Sequence, residues 1–230
     1  MLAVNGISVT YPDGNLALDS VSFAIGDNER VALIGANGAG KSTLLRAIVG
    51  LLPMSGEISV CGVKLSKQTA SEIRKIIGIV FQNPDDQLFT MKVRDDIAFG
   101  PRNFGLSDEE AERLVDSALE QLNAVHLKER TPYKLSAGEK RIVGIAAILA
   151  MNPKVLLLDE PSSFQDPRSR RILIGTLRSL RQAQLVATHD LDLARSLCSR
   201  VIVLRDGRVR AEGPTDEILS DDGRLEEYGL

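Results

Sequence analysis

Gly35-Ala36-Asn37-Gly38-Ala39-Gly40-Lys41-Ser42 has the composition of a phosphate cradle. Its glycines let successive backbone N–H groups turn toward one oxygen-rich guest. Lys41 offers a cation to the outer phosphates, and the Ser42 hydroxyl offers an oxygen to Mg²⁺. The setting fits: "RVALIG" reads as a short buried strand before the loop, and "KSTLLRAIVGLL" as a helix after it, whose N-terminus adds positive potential. A second chemical pair, Asp159 and Glu160, ends the apolar run "VLLLDE". Ligands bind at the carboxyl ends of buried parallel strands, so Asp159 is a Mg²⁺ ligand through water and Glu160 is next in line to polarise an attacking water. His189 follows the strand pattern "LVAT", and Gln82 ends "IGIVF". His189 is in place to contact a terminal phosphate, and the Gln82 amide to bind Mg²⁺ or the water. Tyr11 sits where a ring can stack on a base, although a plain turn tyrosine is a serious competitor.

The elements that must carry these residues follow from periodicity. Ala3–Thr10 and Asp19–Ile25 read as strands around the turn "YPDGN", and Glu57–Cys61 and Ile77–Phe81 as further strands. From Gln82 to about Ala150 the pattern is helical, with no confident strand. Ser107 and Glu110 form a capping-box pattern. Behind them Ala111, Leu114, Val115, Ala118, Leu119 and Leu122 make one buried stripe. "KVLLLDE" and "AQLVATHD" return to buried strands, and "RVIVLRDGRVRAEG" is strand, turn, strand. The expected partition is one domain over 1–230: an α/β core with an antiparallel β edge from 1–82 and 152–230, and a helical insertion over 83–151.

A second small-residue segment, "LSAGEKR", lies far from the first loop. Ser136 and Glu139 have capping-box spacing, and Gly138 permits close backbone approach. A capped helix end is also an anion site.

Composition narrows the class. Apolar residues make up 43% and charged residues 26%, which is ordinary for a folded chain of 230 residues. A net charge of −3 gives no reason to expect nucleic acid as a partner. The cluster Arg168, Arg170, Arg171, Arg178 and Arg181 reads as a solvated helix face. Cys61 and Cys198 read as buried thiols in a reducing compartment. The N-terminal "MLAVNGISVTYPDGN" lacks the features of a signal peptide, and "IVGIAAILAM" is shorter than the roughly 20 residues that cross a bilayer.

In this order the pieces resemble the nucleotide-binding subunit of ATP-binding cassette transporters, over essentially the whole chain. "GANGAGKS" is similar to the family's Walker A loop, "VLLLDE" to Walker B, "LSAGEK" to its signature, and Gln82 and His189 to its Q-loop and switch histidine. The resemblance implies a P-loop NTPase with a RecA-like mixed sheet, a helical subdomain and an antiparallel β subdomain. It implies ATP and Mg²⁺ as cofactors. Tyr11, Gly35, Asn37, Gly38, Ala39, Gly40, Lys41, Ser42 and Thr43 would hold one nucleotide, with Ser42, Gln82 and Asp159 on the metal. Lys41, Gln82, Glu160 and His189 would serve the chemistry. Ser136, Gly138 and Glu139 would touch the γ-phosphate bound by a facing subunit, so that two copies sandwich two ATP molecules head-to-tail.

Two departures stand out: Ala137 and Glu139 replace Gly and Gln of the usual signature, and "SSFQD" replaces a small-Leu-Asp run, with Phe164 and Gln165 unusual and Asp166 retained. A narrower resemblance lies in "FQNPDDQLF" and "AFGP", which look like energy-coupling factor importers, most of all the cobalt-transport ATP-binding subunit. It implies a peripheral protein on the cytoplasmic face of the cell membrane. Its partners would be a second copy or a paralogous ATPase, a transmembrane coupling protein and a membrane substrate-binding protein. Nickel, biotin or another vitamin are alternative solutes. An ABC ATPase serving soluble partners and a binding switch without turnover are the rival functions. Asp85, Asp86, Asp95 and Asp96 are candidates to receive basic residues of the membrane partner; solvated or helix-capping acids are the competing reading.

Overall fold

The computed structural model describes residues 1–163, 165–220 and 222–229, without the side chains of Asp222 and Arg224. The departure at Phe164 therefore lies outside the described residues.

Alternation of apolar and polar residues along β1 (Leu2–Thr10) and β2 (Leu16–Ile25) turns Leu2, Val4, Ile7 and Val9 inward against Leu18, Val21, Phe23 and Ile25. The second strand begins at Leu16, earlier than its pattern suggests. Next come β3 (Arg30–Ile34), α1 (Lys41–Ile48), β4 (Ser55–Val60), β5 (Val63–Lys64), α2 (Ala70–Ile76) and β6 (Ile77–Val80). Strands β2-β1-β4-β5 form an antiparallel sheet. Cys61 is a correction: it is exposed, whereas Cys198 is buried. Cys61-Gly62 is the tight turn between β4 and β5, where Cys61 takes φ 49° and its side chain leaves the packed face.

The chain is helical between β6 and β7, with no strand among the described residues. It contains α3 (Val93–Asn103), α4 (Asp108–Gln121), and α5 (Ala137–Leu149). Capping boxes start α4 at Ser107/Glu110 and α5 at Ser136/Glu139. The α4 stripe is buried except Leu114, which is half-buried against the same core.

The remainder is β7 (Val155–Asp159), α6 (Pro167–Ser179), β8 (Ala183–Thr188), α7 (Leu191–Leu197), β9 (Arg200–Arg205), β10 (Arg208–Pro214), α8 (Thr215–Ile218) and α9 (Asp222–Tyr228). The second sheet has order β10-β9-β3-β8-β7-β6, parallel except for β9 with β10. Its central strands are buried on both faces. Ala32, Ile34, Leu156 and Leu158 enter one core with α4 and α5, while Val31, Leu33, Val155 and Leu157 enter another with α1 and the antiparallel sheet. Helix α5 lies so close over β6 that a Cβ on Gly78 would fall 1.9 Å from Ile148 Cγ2.

The arginine cluster divides. Arg168, Arg171, Arg178 and Arg181 are exposed. Arg170 is half-buried and makes a two-pronged ion pair with Asp190 (2.9 and 3.0 Å), so it is not part of a merely solvated face. That pair ties α6 to the start of α7.

Candidate functional site

Strand register assembles the site. Val80 pairs with Leu158, Asp159 with Ala187, and Ile34 with Thr188. The segments leaving β6, β3, β7 and β8 therefore emerge side by side. They carry Gln82, the Gly35–Ser42 loop, Asp159-Glu160 and His189 to one edge, the carboxyl ends of a parallel sheet. A cleft of about 620 Å³ opens there, lined by Tyr11, Asn37, Gly38, Gly40, Lys41, Ser42, Thr43, Gln82 and Glu160 among others.

The loop needs its glycines. Gly38 and Gly40 take φ 83° and 105°, and a Cβ on Gly35 would lie 2.2 Å from the Leu204 carbonyl oxygen. Lys41 is buried and donates to the carbonyls of Gly35 (2.6 Å) and Ala36 (3.2 Å). The Tyr11 hydroxyl shares a hydrogen bond with Thr43 Oγ1 at 3.0 Å, holding the ring against the start of α1.

Glu160 is 5% exposed and lies at φ 43°, a left-handed backbone rare for a side-chain residue. Its N–H donates to Ala187 O (2.8 Å), and its Oε2 accepts from Thr188 Oγ1 (3.1 Å) and His189 N (3.3 Å). Its Oε1 lies 2.9 Å from His189 Nδ1 and 3.4 Å from Lys41 Nζ, without an aligned hydrogen bond to either. Asp159 is buried, and burial pushes its carboxyl above the usual carboxylate range, against the pull of a Ser42 hydrogen bond. Asp159 Oδ1 has no hydrogen-bond partner among the described residues.

Ser136, Gly138 and Glu139 are not in this cleft. They line a separate cavity of about 590 Å³ against α6. Glu139 accepts from the Ser136 N–H (2.8 Å) and hydroxyl (2.8 Å), and those bonds lower its pKa.

The four acids differ among themselves. Asp96 is buried, with Oδ1 capping the N–H groups of Phe89 (2.9 Å) and Thr90 (3.0 Å). Asp85 pairs with Lys140 at 2.6 Å, and Asp95 lies 3.7 Å from Arg102. Only Asp86 is exposed with no ion pair among the described residues. Sequence reasoning missed Arg141 and Asp190, whose partners are far away in the chain.

Among the described residues, no helix is long and apolar enough to cross a membrane, and no cluster of His, Cys, Asp or Glu is arranged to hold a metal ion.

Comparison with known proteins agrees with this geometry. The sequence pattern of the ABC transporter family matches residues 18–163. An energy-coupling factor transporter ATP-binding protein, EcfA, of Carboxydothermus hydrogenoformans is 43% identical over 231 residues, covering 99% of this chain and 85% of that one. The structure of cbiO1 from Clostridium perfringens, part of the ABC transporter complex cbiONQ, superposes with TM-score 0.87 at 36% identity, covering 100% of this chain and 94% of that one. The dimeric cassette MJ0796, in a post-hydrolysis state bound to ADP and Pi, gives TM-score 0.83 at 28% identity, covering 94% of this chain and 99% of that one. A phosphate loop at the edge of a mixed α/β sheet, an antiparallel sheet beside it and a helical block between β6 and β7 are thus the parts of one cassette: the chain belongs to the ABC transporter family, as an ATP-binding subunit that hydrolyses ATP.

Proposed function

We propose that this subunit drives an importer of the energy-coupling factor type, working as a head-to-tail dimer with ATP held between two copies. The observation that carries the dimer reading is the separation of two half-sites. Lys41, Ser42 and Glu160 line one cleft; Ser136 and Gly138 line another; no described residue is shared. A capped helix end that lines a different cavity from its own phosphate loop is suited to a phosphate held by a second molecule.

Within one cleft, Asn37, Gly38, Ala39 and Gly40 present backbone N–H groups to the phosphates, and Tyr11 packs on the base. Lys41 exchanges its two loop carbonyls for phosphate oxygens. The residues fit Mg²⁺: the Ser42 hydroxyl interacts with the carboxyl of buried Asp159, whose Oδ1 has no hydrogen-bond partner among the described residues, and a hard cation prefers such oxygen ligands. Ser42, Asp159 and Gln82 would hold it, and when bound it neutralises charge building on the β- and γ-oxygens. Glu160 takes the proton of the attacking water, and His189, in contact with Glu160, steadies the terminal phosphate. Ser136 and Gly138 of the other copy complete the shell around the γ-phosphate. Glu139 acts through the cap that orients Ser136.

The membrane partner fits an apolar groove of about 410 Å³ between β6, α3 and α5. Exposed Phe89 and Phe99 meet edge-on there, with ring centres 4.9 Å apart. Asp86, Gln87 and Asp96 line the same groove, with Asp86 exposed. A short amphipathic helix carrying a cation suits that surface, and a transmembrane coupling protein is the proposed source. Peripheral attachment to the cytoplasmic face of the membrane follows from this docking. The solute is a transition-metal ion, cobalt on the resemblance of "FQNPDDQLF", and it is bound by the membrane subunits.

Complementation tests the dimer. Lys41→Ala and Ser136→Ala are each expected to abolish most phosphate release alone. Mixed, they restore one intact site per heterodimer, because Lys41 of one copy meets Ser136 of the other. No recovery on mixing would place both residues in a single-copy site.

A further inference from the structure

Residues 81–87 are fastened to α5 at three points. Arg141, 2% exposed, donates from Nη1 to Phe81 O (2.5 Å) and from Nη2 to Gln82 O (2.6 Å). Lys140 pairs with Asp85 at 2.6 Å. Gln87 Nε2 donates to Gly144 O at 2.7 Å, where a Cβ would come within 3.3 Å of Gln87 Oε1. The anchors at 140, 141 and 144 fall within about the first two turns after the Ser136 cap.

Arg141 begins where the sheet stops. The β6 ladder to β7 ends at Val80, so the next two carbonyls have no strand partner. A guanidinium fork matches two such carbonyls in one plane; an ammonium is a point charge without that geometry. Burial lowers the Arg141 pKa to about 10, with Asp159 opposing the shift, so the group is charged at neutral pH. A buried cation is costly unless it is well hydrogen-bonded, and here its neighbours are peptide oxygens of the segment that carries Gln82.

We propose that Arg141 is a positioning residue. It fixes the Gln82 backbone at the mouth of the nucleotide cleft and makes that position a function of where α5 stands. Helix α5 begins at the end proposed to meet the other copy's phosphate, so approach of a second nucleotide is felt at Gln82 directly through Arg141, supported by the anchors at Lys140 and Gly144, rather than through β6. This rests on the roles assigned above to Gln82 and Ser136.

The test is a double-mutant cycle in steady-state phosphate release with Arg141→Lys, Gln82→Ala and the pair. Arg141 does not line the cleft, so Arg141→Lys lowers kcat, by about 10-fold for one lost charged hydrogen bond, and leaves KM for ATP unchanged. In the Gln82→Ala background the same substitution has no further effect, since the amide it positions is gone. Losses that multiply, or a raised KM with normal kcat, overturn the proposal. A Gln82→Ala enzyme with wild-type kcat overturns the reading of Gln82 itself, and the role of Arg141 with it. If thermal melts show that Arg141→Lys does not fold, Gln87→Ala takes its place in the cycle. It removes a half-buried anchor of the same segment, and its smaller loss must likewise vanish in the Gln82→Ala background.

Discussion

Glu160 holds a left-handed backbone, at a cost of roughly 1–3 kcal/mol for a residue with a side chain. The bond from its N–H to Ala187 and the two donors on Oε2 retain it there. The reward is placement: a buried carboxylate with one oxygen facing Lys41 and His189. Glu160→Gln keeps an acceptor for Thr188 and His189 but cannot take a proton. Phosphate release should fall by about 10²–10⁴-fold. ATP binding should persist, and the ATP-bound protein should elute as a dimer in size-exclusion chromatography. An equal loss of nucleotide affinity would assign Glu160 to ATP retention instead of proton removal.

Between elements, Asp190 is the joint of α6, α7 and the segment after β7. It accepts from Leu193 N, from both prongs of Arg170, and from Ser162. Burial would raise its pKa, but these bonds outweigh burial and the net shift is downward. A lowered carboxylate pKa contributes stability above the unfolded value of 3.8 and loses it as pH falls through the folded value. Asp190→Asn should therefore lower Tm by about 3–6 °C at neutral pH. The difference from wild type should shrink below pH 4; a constant difference down to pH 2.5 would show that the loss is steric. What was legible in the sequence divides at the same joint. The Gly35–Ser42 loop and both capping boxes are written within a few consecutive residues, where spacing alone states the geometry. Arg141 and Arg170 look like any surface arginine, because their partners lie 59, 60 and 20 positions away and only the folded sheet brings them near. Cys61 departs from the burial its residue type suggests because an apolar residue type says little inside a two-residue turn, and α2 lacks a long enough stripe to stand out.

For the whole molecule, the groove proposed for the membrane partner can be tested apart from catalysis. Phe89 is 63% exposed and lies outside the nucleotide cleft. Phe89→Asp should leave ATP hydrolysis by the purified subunit close to wild type while the protein no longer co-purifies with its transmembrane partner from detergent extracts. Retained co-purification would move the docking surface elsewhere. The mixed sheet carries a last consequence. Along β3 and β7 successive residues alternate between two cores with no described side chain in common: Val31 and Leu33 enter the core that holds α1, and Ala32 and Ile34 the core that holds α5 and α7. Adjacent codons of one strand thus answer to different neighbours. Over evolutionary time the nucleotide-gripping half and the helical half can drift as two separate vocabularies, held in common grammar only by the backbone between them.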